Sequence, residues 1–460
     1  MELLEKLTQL RQNDPYPMHM PGHKRVKLSF PDVYDIDITE IKGFDNLHEP
    51  EGIIKNLSDE VAEMYGADEA YLSVGGSTDM ILTAIFASAG PDQKILVARN
   101  CHKSVYHAAI LRNADAVYAF PEIKEFGIPG EITKEQIQKI LEKEDGIRAC
   151  VITSPTYEGV ISDVRGIAGV CHAHGVSLIV DAAHGAHLGF SGFPENPIQQ
   201  QADAVIVSLH KTLPSLTQTA CLLRNRDSLI SDEQIRKYFN FFETSSPSYV
   251  LMAGIDRCVT FLREEGSERF TSYKKKLLQL RSDLKKINGL TLFESDSYDE
   301  SKIVIHMAGK SGSELAEILR AGGIEPEMAS LYYVICMTSV MDTQEGFDRL
   351  SDVLRNAAGD MSDTAEDESQ GLYDIVPEKK DNIGIAELSQ VDNMSVEQAA
   401  GLECGGIITV YPPGIPLIVP GEVYTSQIIE RIQTADSRGL EVEGLSAGQV
   451  PVINKKRAYE

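Results

Sequence analysis

The sequence predicts an α/β fold with a mostly parallel sheet covered by helices on both faces. Three observations carry this expectation. Short apolar runs of strand length alternate with helix-length segments between about residues 70 and 223. The runs are almost continuously apolar, as expected of strands buried on both faces. Chemically competent residues gather at or near the carboxyl ends of these runs, where ligands sit in such sheets.

The elements follow in order. Residues 1–50 read as a short helix and then an irregular segment, because Met18-His19-Met20-Pro21-Gly22-His23-Lys24 and Asp45-Asn46-Leu47-His48 disfavour regular structure. A helix runs from about residue 53 to Tyr65, and Gly66 stops it. Strands are expected at Ala70–Val74, Lys94–Ala98, Ala116–Phe120, Ala149–Thr153, Val176–Asp181, Ala202–Ser208 and Thr219–Leu223. Helices fall between them at Thr78–Ala89, His102–Arg112 and Arg165–His174. From Tyr249 to about Asn288 the pattern is helical. The run Gly359–Gly371 is acidic and poor in apolar residues, which suits a linker. The chain therefore divides into an N-terminal segment (1–50), a large domain (51–260), a smaller helical and α+β domain (261–358), an acidic linker (359–372) and a C-terminal domain (373–460).

Composition narrows the function. A hydrophobic content of 42% supports a large core, and no apolar run is long enough to span a bilayer. The start, Met1-Glu2-Leu3-Leu4-Glu5-Lys6, lacks a signal-peptide layout, so the expected location is cytoplasmic. Seven scattered cysteines without a CxxC favour neither a disulfide frame nor a zinc site. A formal net charge of −26 disfavours nucleic acid as a partner. Its ordinary meaning is solubility, and it also attracts cationic ligands.

The chemistry lies in four segments. Lys211, in Ser208-Leu209-His210-Lys211-Thr212, follows one apolar run, and Asp181 ends the run before it. Such a lysine can condense with the aldehyde of pyridoxal phosphate, and such an aspartate can keep the pyridine nitrogen protonated. Gly75-Gly76-Ser77-Thr78 joins a strand to a helix and offers backbone amides, a dipole end and hydroxyls to a phosphate. Strand alternation puts Ser208 and His210 on one side, towards the phosphate or the substrate. His102, in Asn100-Cys101-His102-Lys103-Ser104, can lie against a pyridine ring or simply cap a helix. Lys103 competes with Lys211 for the aldehyde, and the pairing with Asp181 favours Lys211. In Asp181-Ala182-Ala183-His184-Gly185-Ala186-His187, the histidines and aspartate could instead hold a metal, although Gly185 and Gly189 break the helix such spacing needs.

MHMPGHK, LHEPEGIIK, GGST, RNCHKS, TSPTYEG, VDAAHGAH, SLHKTLPSLTQ, SSPSY and YPPGIP together resemble the Orn/Lys/Arg decarboxylases of fold-type I, in their short bacterial form. The resemblance spans residues 18 to 422 and implies a pyridoxal phosphate-binding large domain. It implies that Lys211 carries the cofactor, Asp181 pairs with its ring nitrogen and His102 stacks on the ring. Gly76, Ser77, Thr78, Ser208 and His210 would surround the phosphate, with Ala183 the small residue near the ring. Lys211 or His210 would return a proton to the substrate carbon. The reaction implied is decarboxylation of arginine, lysine or ornithine to an amine that feeds polyamine metabolism. The family forms dimers, and Thr244 to Ser248 would reach a neighbour's cofactor. One departure is Ala182, where many relatives carry Glu or Ser. Glu158 and Glu243 are candidates to meet the cationic substrate tail.

Alternatives remain open at the level of sequence. They are another fold-type I lyase or aminotransferase, a catalytically silent pyridoxal phosphate-binding protein, and a metal hydrolase using the histidines.

Overall fold

The computed structural model describes residues 2–358 and 371–455. All but the last residue of the acidic run Gly359–Gly371 lies outside the described residues.

Seven strands form the central sheet: β1 (Glu69–Ser73), β2 (Lys94–Ala98), β3 (Asp115–Ala119), β4 (Ile147–Thr153), β5 (Ser177–Asp181), β6 (Ala204–Val207) and β7 (Ala220–Arg224). Their spatial order is β1-β7-β6-β5-β4-β2-β3. Only β7 runs against its neighbours, β1 and β6. The remaining pairs are parallel. β5, β6 and β7 are nearly fully buried because helices cover both faces, which is why their sequences are almost continuously apolar, whereas the edge strand β3 is only partly buried. Register places Thr153 opposite Asp181 and Asp181 opposite Ile206, so β4, β5 and β6 end at one rim.

The expected helices form at Ile53–Tyr65, Ser77–Ser88, Lys103–Arg112 and Val164–Ala173. Gly66 ends the first in the left-handed conformation at φ 72°. A further helix, Lys134–Lys143, was not anticipated. Thr133 and Gln136 form its capping box, and Ile137 and Leu141 are its buried face.

A helix of 36 residues, Tyr249–Leu284, leads away from this sheet. An antiparallel sheet follows, made of Leu290–Leu292, Lys302–Met307, Tyr333–Met337 and Met328–Ala329. Beyond residue 371 a separate apolar core gathers Ile408, Ile418, Tyr424, Ile432 and Val450. A buried ion pair ties this last region to the end of β2: Arg99 Nη2 lies 2.9 Å from Glu422 Oε2. Arg99 also donates to the carbonyls of Pro416 and Leu417, so the guanidinium is held from several directions. Among the described residues no helix is long and apolar enough to cross a membrane.

Candidate active site

The rim where β4, β5 and β6 end opens into a cavity of about 420 Å³. Its wall contains Gly76, Ser77, Thr78, His102, Asp181, Ala183, Ser208, His210 and Lys211. The nine residues expected to hold the cofactor therefore meet in one place.

One detail of that expectation changes. Strand pairing stops at Val207, and Leu209–Thr212 is a single helical turn, so strand alternation does not aim His210. Its Nδ1 hydrogen-bonds the Thr219 carbonyl at 2.9 Å, and this fixes the ring in the wall.

Gly76 caps the helix Ser77–Ser88 at φ 92°, a conformation open to glycine. No side chain accepts from the first amides of this helix, which leaves these donors for an anion. Ser77 Oγ and Ser208 Oγ meet at 2.6 Å beside them. His102 caps the helix Lys103–Arg112 through Nδ1, which accepts from the Ser104 amide at 3.2 Å. Burial, helped by Lys211, lowers its pKa to about 3, so the ring is neutral. Gly414 of the YPPGIP segment packs close to this ring, and a Cβ there would come 2.9 Å from His102 Cδ2.

Lys211 Nζ lies 2.9 Å from His184 Nε2. Burial lowers the lysine pKa, while Asp181 and Glu327 oppose that shift. Burial raises the Asp181 carboxyl, and Lys211 with the Ala183 amide at 3.1 Å pulls it back. Lys103, the rival amine, is engaged elsewhere: it donates to Glu443 Oε2 at 2.5 Å and lies over the Tyr411 ring.

His184 and His187 turn to different partners. His187 Nε2 bonds Asp299 Oδ1 at 2.9 Å, and Asp299 also pairs with Lys302. Among the described residues no cluster of histidine, cysteine and acidic side chains could hold a metal ion.

Sequence reasoning missed several wall residues: Met20, Asn100, Tyr157, Glu327, Tyr411 and Pro412. Tyr157 donates to Glu327 Oε1 at 2.6 Å, and the Met20 amide donates to Glu327 Oε2 at 2.8 Å. Glu158 and Glu243 are buried outside the wall. Glu158 accepts from the Tyr333 hydroxyl, and Glu243 accepts from the Val74 and Thr244 amides.

Residues 2–304 match the family described as Orn/Lys/Arg decarboxylase, major domain. Residues 376–446 match Orn/Lys/Arg decarboxylase, C-terminal domain. The chain belongs to the Orn/Lys/Arg decarboxylase family. It is 32% identical to an arginine decarboxylase of Bacillus subtilis (strain 168), over 97% of this chain and 96% of that protein. It is 31% identical to an arginine decarboxylase of Halalkalibacterium halodurans, over 94% of this chain and 93% of that protein. In three dimensions it resembles a lysine decarboxylase of Francisella novicida, with a TM-score of 0.77 and 18% identity, covering 98% of this chain and 83% of that one. The fold is thus that of the fold-type I enzymes, and this family member is a pyridoxal phosphate-dependent amino-acid decarboxylase.

The residues present fit that cofactor. Uncapped amides and paired hydroxyls meet the needs of a phosphate. A buried carboxylate 4% exposed suits a cationic ring nitrogen. Two buried polar atoms in the wall, Asn100 Oδ1 and His184 Nδ1, have no hydrogen-bond partner within the protein. Such atoms are costly unless a bound group or water satisfies them.

Proposed function

We propose that this enzyme removes the α-carboxylate of L-arginine, releasing CO₂ and agmatine. Whole-chain similarity to arginine decarboxylases, at 32% and 31% identity, carries the choice of substrate. The amine product would supply polyamine synthesis.

Pyridoxal phosphate, when bound, supplies an electron sink for the bond that breaks. In the proposed division of labour, Lys211 would hold the cofactor through its side-chain amine. Its burial favours the neutral, nucleophilic amine. Asp181 holds the proton on the ring nitrogen. His102, neutral and packed close to Gly414, presents a flat face to the ring without adding charge. Gly76, Ser77, Thr78, Ser208 and His210 hold the phosphate, and Ala183 leaves room for the ring. Lys211 is assigned the return of a proton to Cα.

We further propose the domain division 1–50, 51–260, 261–358, 359–372 and 373–460. A homodimer is proposed, with Thr244 to Ser248 turned towards the partner, and a cytoplasmic location.

Purified enzyme assayed with carboxyl-labelled arginine, lysine and ornithine tests the substrate. The expected kcat/KM for arginine exceeds the other two by at least about 10-fold. A preference for lysine or ornithine overturns the assignment.

A further inference from the structure

We infer that Lys302 is a positioning residue for the reacting amine: it pins the turn that carries His184 against Lys211 and sets a buried positive charge behind that pair. This rests on the reading of Lys211 as the cofactor lysine and adds a residue from outside the cavity wall.

Lys302 opens the strand Lys302–Met307 and is wholly buried. Every N–H of its ammonium is engaged. It donates to the His184 carbonyl at 3.1 Å, to Asp299 Oδ2 at 2.7 Å and to Ser301 Oγ at 3.2 Å. The ring of the same His184 lies 2.9 Å from Lys211 Nζ through Nε2. One residue therefore joins the two amines, by its backbone on one side and its imidazole on the other.

The TYEG turn closes this arrangement at both ends. Tyr157 meets the His184 ring edge-on, with centroids 4.8 Å apart. Gly159 faces the Lys302 stem: a Cβ there would lie 3.0 Å from Lys302 Cγ, and its φ of 104° suits glycine. The Gly159 carbonyl accepts from the Asp299 amide at 2.8 Å. Arg281, from the helix Tyr249–Leu284, donates to the Lys302 carbonyl at 3.1 Å. Side chain and backbone of Lys302 are both held, so the ammonium keeps a fixed station behind His184.

The His184 carbonyl does not by itself require an ammonium. A neutral N–H or hydroxyl would satisfy it with far less desolvation than a buried charge. What the ammonium adds is its charge. The counterion Asp299 is shared with His187 Nε2 at 2.9 Å and with the Ser301 amide at 3.1 Å. The cation is the member of the pair that acts on the site. After burial and Lys211, Lys302 pushes the His184 imidazole down, and after burial it pushes the Lys211 amine down against Asp181 and Glu327. A lysine beside another buried cation gives up its proton more readily, which suits an amine that must react as a nucleophile.

The test titrates holoenzyme without substrate, following the yellow absorbance of the cofactor held by Lys211 as pH rises. Wild type is compared with the double variant Lys302→Gln with Asp299→Asn, which keeps a donor for His184 and removes both charges. It is also compared with Lys302→Arg, which keeps the charge. Loss of the cation is expected to raise the titration midpoint by about one pH unit and to lower kcat about 10-fold with little change in KM. Lys302→Arg is expected to stay near the wild-type midpoint. Melting temperature and cofactor content report folding and loading. A folded, loaded double variant with the wild-type midpoint overturns the inference, and so does an equal rise in Lys302→Arg. If the double variant does not fold, the wild-type apoenzyme decides through the pH dependence of Lys211 acylation, read by mass spectrometry. A profile shifted below that of an ordinary lysine supports the inference, and an ordinary profile overturns it. Borohydride reduction and peptide mapping of wild type test the premise separately: cofactor fixed to a residue other than Lys211 overturns the cofactor reading itself.

Discussion

His184 and His187 lie in the same turn after β5, and both are buried, yet they belong to different regions. His184 faces the cavity, and its Nε2 partner is the lysine amine proposed to react. His187 is locked to Asp299 in an ion network that Lys302 completes. The network is built for permanence: Asp299 is held well below the usual carboxylate range by His187 and Lys302, although burial opposes them. The cavity is built for exchange, with a lysine poised towards its neutral form. The two regions touch, since Lys302 Nζ also donates to the His184 carbonyl at 3.1 Å. Burial alone therefore does not mark a catalytic group. What sets His184 apart is its place in the cavity wall, where its ring nitrogen meets the Lys211 amine.

The sharpest way to break this comparison is Lys211→Ala. Turnover is expected to fall by about 10³-fold or more, measured as CO₂ release, while the melting temperature stays near wild type. The next test exchanges the two histidines. His187→Ala is expected to cost about 2–3 kcal/mol of stability in denaturant unfolding, because a buried charge loses a hydrogen bond. His184→Ala is expected to act the other way round, lowering kcat about 10-fold or more with a smaller change in the denaturation midpoint. Equal effects of the two substitutions on stability and rate would erase the distinction.

The smallest effect concerns pH. Burial, reinforced by Glu243, raises the Asp79 carboxyl to about 6. A folded pKa above the unfolded value of about 3.9 means that the folded state binds the proton more tightly. The resulting contribution is present below the unfolded pKa and lost as pH rises through about 6. Asp79→Asn is expected to raise the melting temperature by a few degrees at pH 8 and by less at pH 4 (thermal scans at both values). A difference that does not grow with pH would show that Asp79 is not strained.

Much of the fold was legible because burial on two faces writes itself as continuous apolar runs. The strands from β1 to β7 were each placed to within a few residues. The helix Lys134–Lys143 was overlooked although its capping residues Thr133 and Gln136 stand in the sequence at the right spacing. In the cavity, Lys211, Asp181 and the GGST loop were visible because each occupies a strand end, a local and repeatable position. Glu327 was invisible for the opposite reason. It lies 307 residues from Met20 and 170 from Tyr157, and only tertiary packing makes them neighbours. Glu158 and Glu243 attracted attention as acids near motifs, but hydrogen bonding and packing hold them outside the wall.

The close approach of Gly414 to His102, with Tyr411 to Pro413 in the cavity wall, makes the last region of the chain part of the site proposed to hold the cofactor. A protein clipped between the two sheet systems and that region would still carry its lysine and aspartate, but one side of the proposed cofactor bed would stand open to water once the Arg99–Glu422 tie let go. Proteolytic nicking near residue 371 should thus be felt first as a leaking active site and only later as lost secondary structure.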